Sequence, residues 1–265
     1  MNPIWAIRFL MLLVVLLPSV GGAASPSSPV TPSARMWQPF GLANRIQVRG
    51  DMADPGCPSV TLLRLRPDTR LPPHSSPVDR TYLILSGTVH VGIGKKWDDA
   101  KMQTLPAGSF WLVPANTSTF EWAEDQVVCQ VTATRPARDC PRLTEPAFFP
   151  PDRIEWAPFG GMERAVLAGR PGEPGCPWVD RIRFRAGGRS MPAADAASEE
   201  VTWTVLSGSL RRGSGGLGNG TAPAELPAGT VLTLAAGDDA VESDVADTVA
   251  QREFAGAGPR ACRRR

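Results

Sequence analysis

Leu105-Pro106-Ala107-Gly108 recurs 121 residues later as Leu226-Pro227-Ala228-Gly229. Three other landmarks repeat in the same order at offsets of 119 or 121 residues. They are Trp37-Gln38-Pro39-Phe40-Gly41 with Trp156-Ala157-Pro158-Phe159-Gly160, Pro55-Gly56-Cys57-Pro58 with Pro174-Gly175-Cys176-Pro177, and Leu85-Ser86-Gly87 with Leu206-Ser207-Gly208. A period of this length is a whole domain and not a short solenoid repeat. We therefore predict repeat 1 over 35–141, a Pro-containing linker over 142–151, and repeat 2 over 152–265 with a short basic tail.

The residue pattern of each repeat predicts β-strands. Short segments rich in alternating, β-branched or aromatic residues end at Gly or Pro turns. They are 60–66, 81–86, 109–113 and 126–131 in repeat 1, with 179–185 and 201–206 in repeat 2. No segment carries a long apolar stripe of helical period. The sequence therefore predicts an all-β chain built as sandwiches or barrels.

The N-terminus predicts export. Residues 9–20 form an apolar run after a short segment containing Arg8, and small residues suited to cleavage follow at Ala23 and Ala24. A membrane anchor is the alternative, but the run is shorter than the roughly 20 residues that span a bilayer. We interpret 1–24 as a signal peptide and the Ser/Pro-rich 25–34 as a flexible lead-in. The mature protein is expected in the periplasm or secreted, without a membrane partner.

Charge and histidine content exclude several kinds of function. The chain has 28 Lys+Arg against 26 Asp+Glu, so it has no basic excess with which to bind a nucleic acid. Its two histidines, His74 and His90, exclude most chemistry that needs several imidazoles.

Repeat 1 resembles the cupin superfamily. His74-x-Ser76, then Arg80, then six residues and Gly87 align with the first cupin motif, His-x-His, three or four residues, Glu, six residues, Gly. The second cupin motif aligns with 105–120 and would place its histidine at Thr119. With the duplication, this resemblance implies a bicupin: two tandem double-stranded β-helix, or jelly-roll, domains.

The resemblance also implies where a divalent metal would bind, through three His and one Glu. Only His74 keeps a ligand type, because Ser76, Arg80 and Thr119 stand at the other three positions. The corresponding residues of repeat 2 are Asp195, Ala197, Val201 and Ala240. A transition metal needs three or four protein ligands, and a guanidinium repels a cation. We therefore expect no metal and no other cofactor.

Strand alternation places Arg80, Tyr82 and Ile84 on one face, where the missing Glu would lie. The expected ligand pocket of repeat 1 comprises His74, Ser76, Arg80, Tyr82, Thr119, Glu121 and Gln130. Replacing Glu by Arg reverses the local charge, so a small anionic ligand is expected. In the alternative, the pocket is a relic in which Arg80 pairs with Asp79 or Glu121.

These observations leave several functions open. The first is an exported bicupin without a competent metal site that binds a small molecule or has a structural role. The alternative is a metal-dependent enzyme, isomerase- or oxygenase-like, with a non-standard site in repeat 1. A third is an effector-binding sensory module. The repeats are expected to pack on each other as a pseudo-dimer, with the whole chain a monomer or homodimer.

Five cysteines in an exported chain predict disulfides with one cysteine left over. The duplication equates Cys57 with Cys176 and Cys140 with Cys262. We therefore predict one bridge within each repeat, Cys57–Cys140 and Cys176–Cys262, with Cys129 free. In the alternative, Cys57 pairs with Cys129 and Cys140 is exposed.

Overall fold

A computed structural model describes residues 28–54, 56–137, 139–189, 200–212, 225–234, 241–243, 245, 247–256 and 262. The expected signal peptide, 1–24, lies outside the described residues, as do Asp195, Ala197 and Ala240. Apart from three short 3-10 helices, Pro32–Ala34, Asp99–Lys101 and Pro151–Arg153, the regular structure of the described part is all strand. The prediction of an all-β chain is confirmed.

Repeat 1 contains ten strands in two facing sheets. The strands are β1 (Gln38–Phe40), β2 (Ala43–Arg49), β3 (Ser59–Leu65), β4 (Arg70–His74), β5 (Arg80–Ser86), β6 (Thr88–Ile93), β7 (Gln103–Pro106), β8 (Phe110–Val113), β9 (Thr119–Ala123) and β10 (Val127–Ala133). The larger sheet has the order β1-β2-β3-β10-β5-β8, extended by β11 (Ala147–Phe149) of the linker. The smaller sheet has the order β4-β9-β6-β7. All pairs are antiparallel, as in a jelly roll.

Repeat 2 reproduces this topology strand for strand. Its strands are β12 (Ala157–Phe159), β13 (Met162–Ala168), β14 (Trp178–Phe184), β15 (Gly188–Arg189), β16 (Val201–Ser207), β17 (Ser209–Arg212), β18 (Glu225–Pro227), β19 (Val231–Leu234), β20 (Val241–Ser243) and β21 (Thr248–Phe254). The sheet orders are β12-β13-β14-β21-β16-β19 and β15-β20-β17-β18. The same order in both repeats explains why the sequence landmarks recur at a nearly constant offset.

A glycine is required at the turn from β5 to β6. Gly87 has φ 81°, and a Cβ there would lie 2.4 Å from the carbonyl oxygen of Gln126. Gly208 occupies the same turn of repeat 2 with φ 70°. The recurrent Leu-Ser-Gly motif therefore marks the point where the chain crosses from the larger sheet to the smaller one.

The repeats pack against each other through the outer faces of their larger sheets. An apolar cluster joins Leu83, Phe110 and Leu112 of repeat 1 to Ala165, Leu167 and Val179 of repeat 2. This is the shared interface that the pseudo-dimer prediction requires. Leu83 lies on the opposite face of β5 from Tyr82, so one strand serves both the interface and the interior of its barrel.

A buried polar network centred on Glu253 lies in the same interface. Its carboxylate accepts hydrogen bonds from Thr81 Oγ1, from Gln130 Nε2 at 2.9 Å and from Thr132 Oγ1 at 2.8 Å. Gln130 Oε1 in turn accepts from Thr204 Oγ1 at 2.6 Å. Burial raises the pKa of Glu253, and the three hydrogen bonds to its carboxylate oppose that shift. Ionisation of this group therefore costs stability that the network recovers only in part.

As the pH rises from about 4 to 8, the difference in unfolding free energy between Glu253→Gln and the wild type is expected to shift in favour of the variant. Because the pKa of Glu253 is raised by folding, the wild type is more stable below the unfolded-state pKa and loses that advantage as the pH rises through the folded pKa. Glutamine keeps one acceptor and never ionises. Denaturant unfolding at several pH values measures the difference. The exposed Glu225→Gln is the control and should change stability by less than about 0.5 kcal/mol; a parallel pH profile for E253Q and wild type would contradict the prediction.

Both disulfides cross between the repeats. Cys57 pairs with Cys262, and Cys140 pairs with Cys176, with Cα–Cα distances of 5.6 and 5.3 Å. The predicted pairing within each repeat is therefore wrong, although the four bridged cysteines and the free, buried Cys129 are as expected.

The physical reason is that the repeats exchange their C-terminal segments. The backbone N–H of Arg135, just after β10, donates to the carbonyl of Ala255, just after β21. Each segment then leads to the Pro-Gly-Cys-Pro loop of the other repeat. The symmetry of the sequence equates the cysteines correctly but cannot distinguish pairing within a repeat from reciprocal exchange.

Part of the lead-in contacts repeat 2. Val30 of the lead-in forms a β-bridge with Val231. Arg35, the first residue of repeat 1, donates through Nη2 to the carbonyl oxygen of Gly229 at 2.5 Å. The part of the chain that the structure describes contains no helix of the length and apolar character needed to cross a bilayer.

Candidate functional site

The barrel of repeat 1 encloses a cavity of about 450 Å³ between its two sheets. Most of its wall is apolar. The apolar lining includes Met52, Leu63, Leu65, Leu71, Ile84, Val89, Val127 and Val131. Polar groups enter it from only a few positions, chiefly His74, Arg80, Tyr82 and Glu121. A cavity of this size with few convergent polar groups has the character of a small-molecule site.

Strand alternation on β5 supplies one wall. Arg80, Tyr82 and Ile84 all line the cavity, as the sequence predicts for this face. Trp111 of β8 lies directly opposite Tyr82 in the ladder, and the two rings stack with centroids 4.4 Å apart. The stacked pair fixes the position of the indole N–H within the wall.

Glu121 enters from β9, in the facing sheet. Its residue is only 4% exposed, and its Oε2 lies 3.5 Å from Nδ1 of His74. Burial raises the pKa of this carboxyl, while His74, a hydrogen bond from the Thr119 side chain and the charge of Arg80 act in the opposite direction. His74 Nδ1 is also 3.0 Å from the carbonyl oxygen of Pro72, and its side chain is 40% exposed. Glu121 is therefore the deep acidic group of the cavity, and His74 lies nearer to solvent.

Two polar atoms of these side chains are buried without a hydrogen-bond partner among the described residues. They are Arg80 Nε and Trp111 Nε1, whereas the buried Glu121 carboxyl lies near His74 Nδ1 and the Thr119 side chain. Buried polar atoms in proteins are nearly always paired. Two N–H donors that share a cavity therefore form a pair that a polar ligand group could satisfy.

The other titratable groups of the wall carry no charge near neutral pH. Burial, with a smaller effect of the charge on Glu121, raises the pKa of Tyr82 to about 12. The same causes raise the pKa of the Cys129 thiol to about 12. The charge of the cavity is therefore set by Arg80, Glu121 and His74.

The structure brings together four of the seven residues expected in the pocket: His74, Arg80, Tyr82 and Glu121. Ser76 and Thr119 do not line the cavity. The Ser76 hydroxyl accepts from the backbone N–H of Val78, and Thr119 is buried opposite His74 in the β4–β9 pair.

The placement of Gln130 in the pocket is corrected. It lies in the interface between the repeats, because Cys129 and Val131 face the cavity and successive strand residues point to opposite faces. Trp111 and Cys129 were missed as lining residues. The only sequence signal for them was alternation along β8 and β10.

The residues at the cupin metal positions do not fit a metal. Of His74, Ser76, Arg80 and Thr119, only the histidine is a ligand type, and the guanidinium would repel a cation. Within the described residues, no group of three or more His, Cys, Asp or Glu side chains could hold an ion.

Apolar side chains pack together at the matching described positions of repeat 2. At the positions equivalent to Arg80, Tyr82 and Trp111 stand Val201, Trp203 and Leu232, all in its packed core. Arg252, at the position of Val131, donates to buried Asp180 through Nε at 2.8 Å and through Nη2 at 2.5 Å. The polar cavity described above therefore belongs to repeat 1.

Comparison with known proteins supports the fold. No protein-family model matches the chain, and no curated protein matches it. Among solved structures, a cupin 2 conserved barrel domain protein from Leptotrichia buccalis aligns with TM-score 0.60 and 14% identity, covering 88% of this chain and 98% of its own. The chain has the cupin fold, in two copies. A putative glyoxylate-induced protein from Pseudomonas aeruginosa (TM-score 0.64, 13% identity, 87% and 89% covered) is also similar.

An oxalate decarboxylase from Lactobacillus farciminis, solved as a formate complex, aligns over 89% of this chain and 87% of its own, with TM-score 0.58 and 11% identity. At these identities the similarity shows the cupin fold alone. The function of this chain must be argued from its own cavity.

Proposed function

We propose that this bicupin binds a small organic acid with an apolar body inside the barrel of repeat 1. The observation that carries the proposal is the pair of unpartnered donors, Arg80 Nε and Trp111 Nε1, on neighbouring strands of one sheet that lines the cavity. A carboxylate accepts hydrogen bonds from a guanidinium and from an indole N–H, so it satisfies both donors at once.

The rest of the cavity suits the apolar body of such a ligand. Leu63, Leu65 and Ile84 line it, and removal of ligand hydrocarbon from water would supply about 25 cal/mol per Å². Phe40 and Leu42 of the β1–β2 hairpin line the same cavity and are 39% and 56% exposed. They mark its rim, where an apolar ligand would first contact the protein.

We further propose that the protein acts outside the cytoplasm. Two disulfides are expected to persist in an oxidising compartment, and they accord with the export signal predicted for residues 1–24. The alternative of a metal-dependent enzyme has less support, because the described residues of repeat 1 include no group of three or more His, Cys, Asp or Glu side chains that could hold an ion.

A matched ligand series tests the proposed function. 3-Phenylpropanoate, 3-phenylpropanol and 3-phenylpropylamine share an apolar body and differ in their head group. Calorimetry is expected to detect binding of the carboxylate, at least tenfold weaker binding of the alcohol, and no binding of the amine. Equal affinity for all three, or binding of the amine alone, would contradict an acid-binding site.

A variant designed from repeat 2 provides the structural control. Ala43 lines the cavity, and its counterpart Met162 is buried in the packed core of repeat 2. Ala43→Met is expected to reduce carboxylate affinity about tenfold by filling space, while leaving the charged groups in place. Unchanged affinity would place the ligand elsewhere on the protein.

A further inference from the structure

We propose that Glu121 shares one proton with the carboxylate of the bound ligand, so that the cavity accepts a monocarboxylate only together with that proton. The proposal rests on the proposed function and names the residue that sets its specificity. It makes Glu121 a hydrogen-bond donor to the ligand in addition to Arg80 and Trp111.

The position of Glu121 carries the argument. Its carboxyl group is buried, its Oε2 lies 3.5 Å from Nδ1 of His74, and it lines the same cavity as Arg80. A ligand carboxylate that reaches Arg80 therefore shares the enclosed space with a second carboxyl group. Two carboxylates that share one largely apolar cavity disfavour each other's ionised form.

The groups that face Glu121 do not remove this conflict. Arg80 of β5 supplies a single guanidinium, which can neutralise one carboxylate but not two. The side chain of His74 of β4 is 40% exposed, so its contact with Glu121 is open to solvent. Tyr82 of β5 and Cys129 of β10 are neutral, and Trp111 of β8 does not titrate. A proton on Glu121 removes the repulsion and gives its carboxyl group a hydrogen-bond donor.

Burial supports the same protonation state, because it raises the pKa of Glu121 even before a ligand arrives. The consequence for specificity is direct. A monocarboxylate is accepted, whereas a dianion such as succinate brings one charge more than Arg80 and a protonated Glu121 can satisfy. Affinity should also increase as the pH falls, since binding draws a proton to the site.

Calorimetric titration with 3-phenylpropanoate from pH 5.5 to 9 tests the proposal, with each pH measured in two buffers of different ionisation enthalpy. Wild-type affinity is expected to fall by up to tenfold per pH unit in the upper range, with uptake approaching one proton per ligand. Glu121→Gln carries a permanent donor and should bind with a flat pH profile, at least tenfold tighter than wild type at pH 9.

His74→Gln distinguishes a proton held by Glu121 from one held by His74. It should keep the pH dependence if Glu121 carries the shared proton, and a flat profile in this variant would overturn the proposal by assigning the proton to His74. Wild-type binding without proton uptake would overturn it too, and this measurement does not depend on how well any variant folds. Failure of wild type and Glu121→Gln to bind at every pH would overturn the proposed function itself.

Discussion

Replacing Arg80 with methionine is expected to weaken 3-phenylpropanoate binding about a hundredfold, or about 2.7 kcal/mol. Methionine keeps much of the apolar stem but removes the only guanidinium that lines the described cavity. The ligand carboxylate would then be buried beside Glu121 without a cation, which is strongly unfavourable. Calorimetry at pH 6 measures the loss.

The matched controls distinguish charge from folding. Arg66→Met removes an exposed arginine at the end of β3 and should leave binding unchanged. Arg80→Lys keeps the charge but lacks the planar fork of donors, so its affinity should lie between those of wild type and Arg80→Met. The weak affinity for 3-phenylpropanol should change less than tenfold in Arg80→Met. If Arg80→Met binds the carboxylate as tightly as the wild type does, Arg80 has no role in acid binding.

Removing both disulfides is expected to cause the largest loss of stability in this protein. The bridges close loops of 205 and 36 residues, and loss of a native disulfide typically costs about 2–5 kcal/mol. Replacing Cys57, Cys140, Cys176 and Cys262 by alanine should therefore lower the melting temperature by roughly 10 °C or more, given about 2–4 °C per kcal/mol for a chain of this size. Peptide mapping without reduction should recover Cys57–Cys262 and Cys140–Cys176.

Cys129→Ala provides the control for that experiment. Cys129 is the free cysteine of the described residues, and Ala250 occupies the same position in repeat 2. Its replacement should cost less than about 1.5 kcal/mol, because only a small buried group is lost. A peptide that joins Cys57 to Cys140 would contradict the reciprocal exchange.

The Cys57–Cys262 disulfide is also expected to affect the ligand cavity. Met52 and Ala53 line it and belong to the same loop as Cys57, which is tied to Cys262 of the other repeat. Loss of this bridge alone should therefore weaken ligand binding, while loss of Cys140–Cys176 alone should affect stability only.

The sequence by itself determined the architecture. Its repeated Leu-Ser-Gly and Leu-Pro-Ala-Gly landmarks reflect turns that tolerate few alternatives, as Gly87 shows with its positive φ and the backbone carbonyl that crowds it. Alternation along β5 placed Arg80, Tyr82 and Ile84 correctly, because the period of a strand is local and needs no knowledge of the partner strand.

Only the tertiary structure decided which groups meet. The sequence predicts Gln130 in the cavity, whereas it lies in the interface between the repeats. One face of β10 lines the cavity and the other lies in the interface, and alternation along the strand does not show which residues take which face. The cysteine pairing depended on exchange of the C-terminal segments, a choice that the duplicated sequence leaves undetermined. Which residues contact each other is set by packing between segments that are distant along the chain. A local sequence pattern does not contain that information.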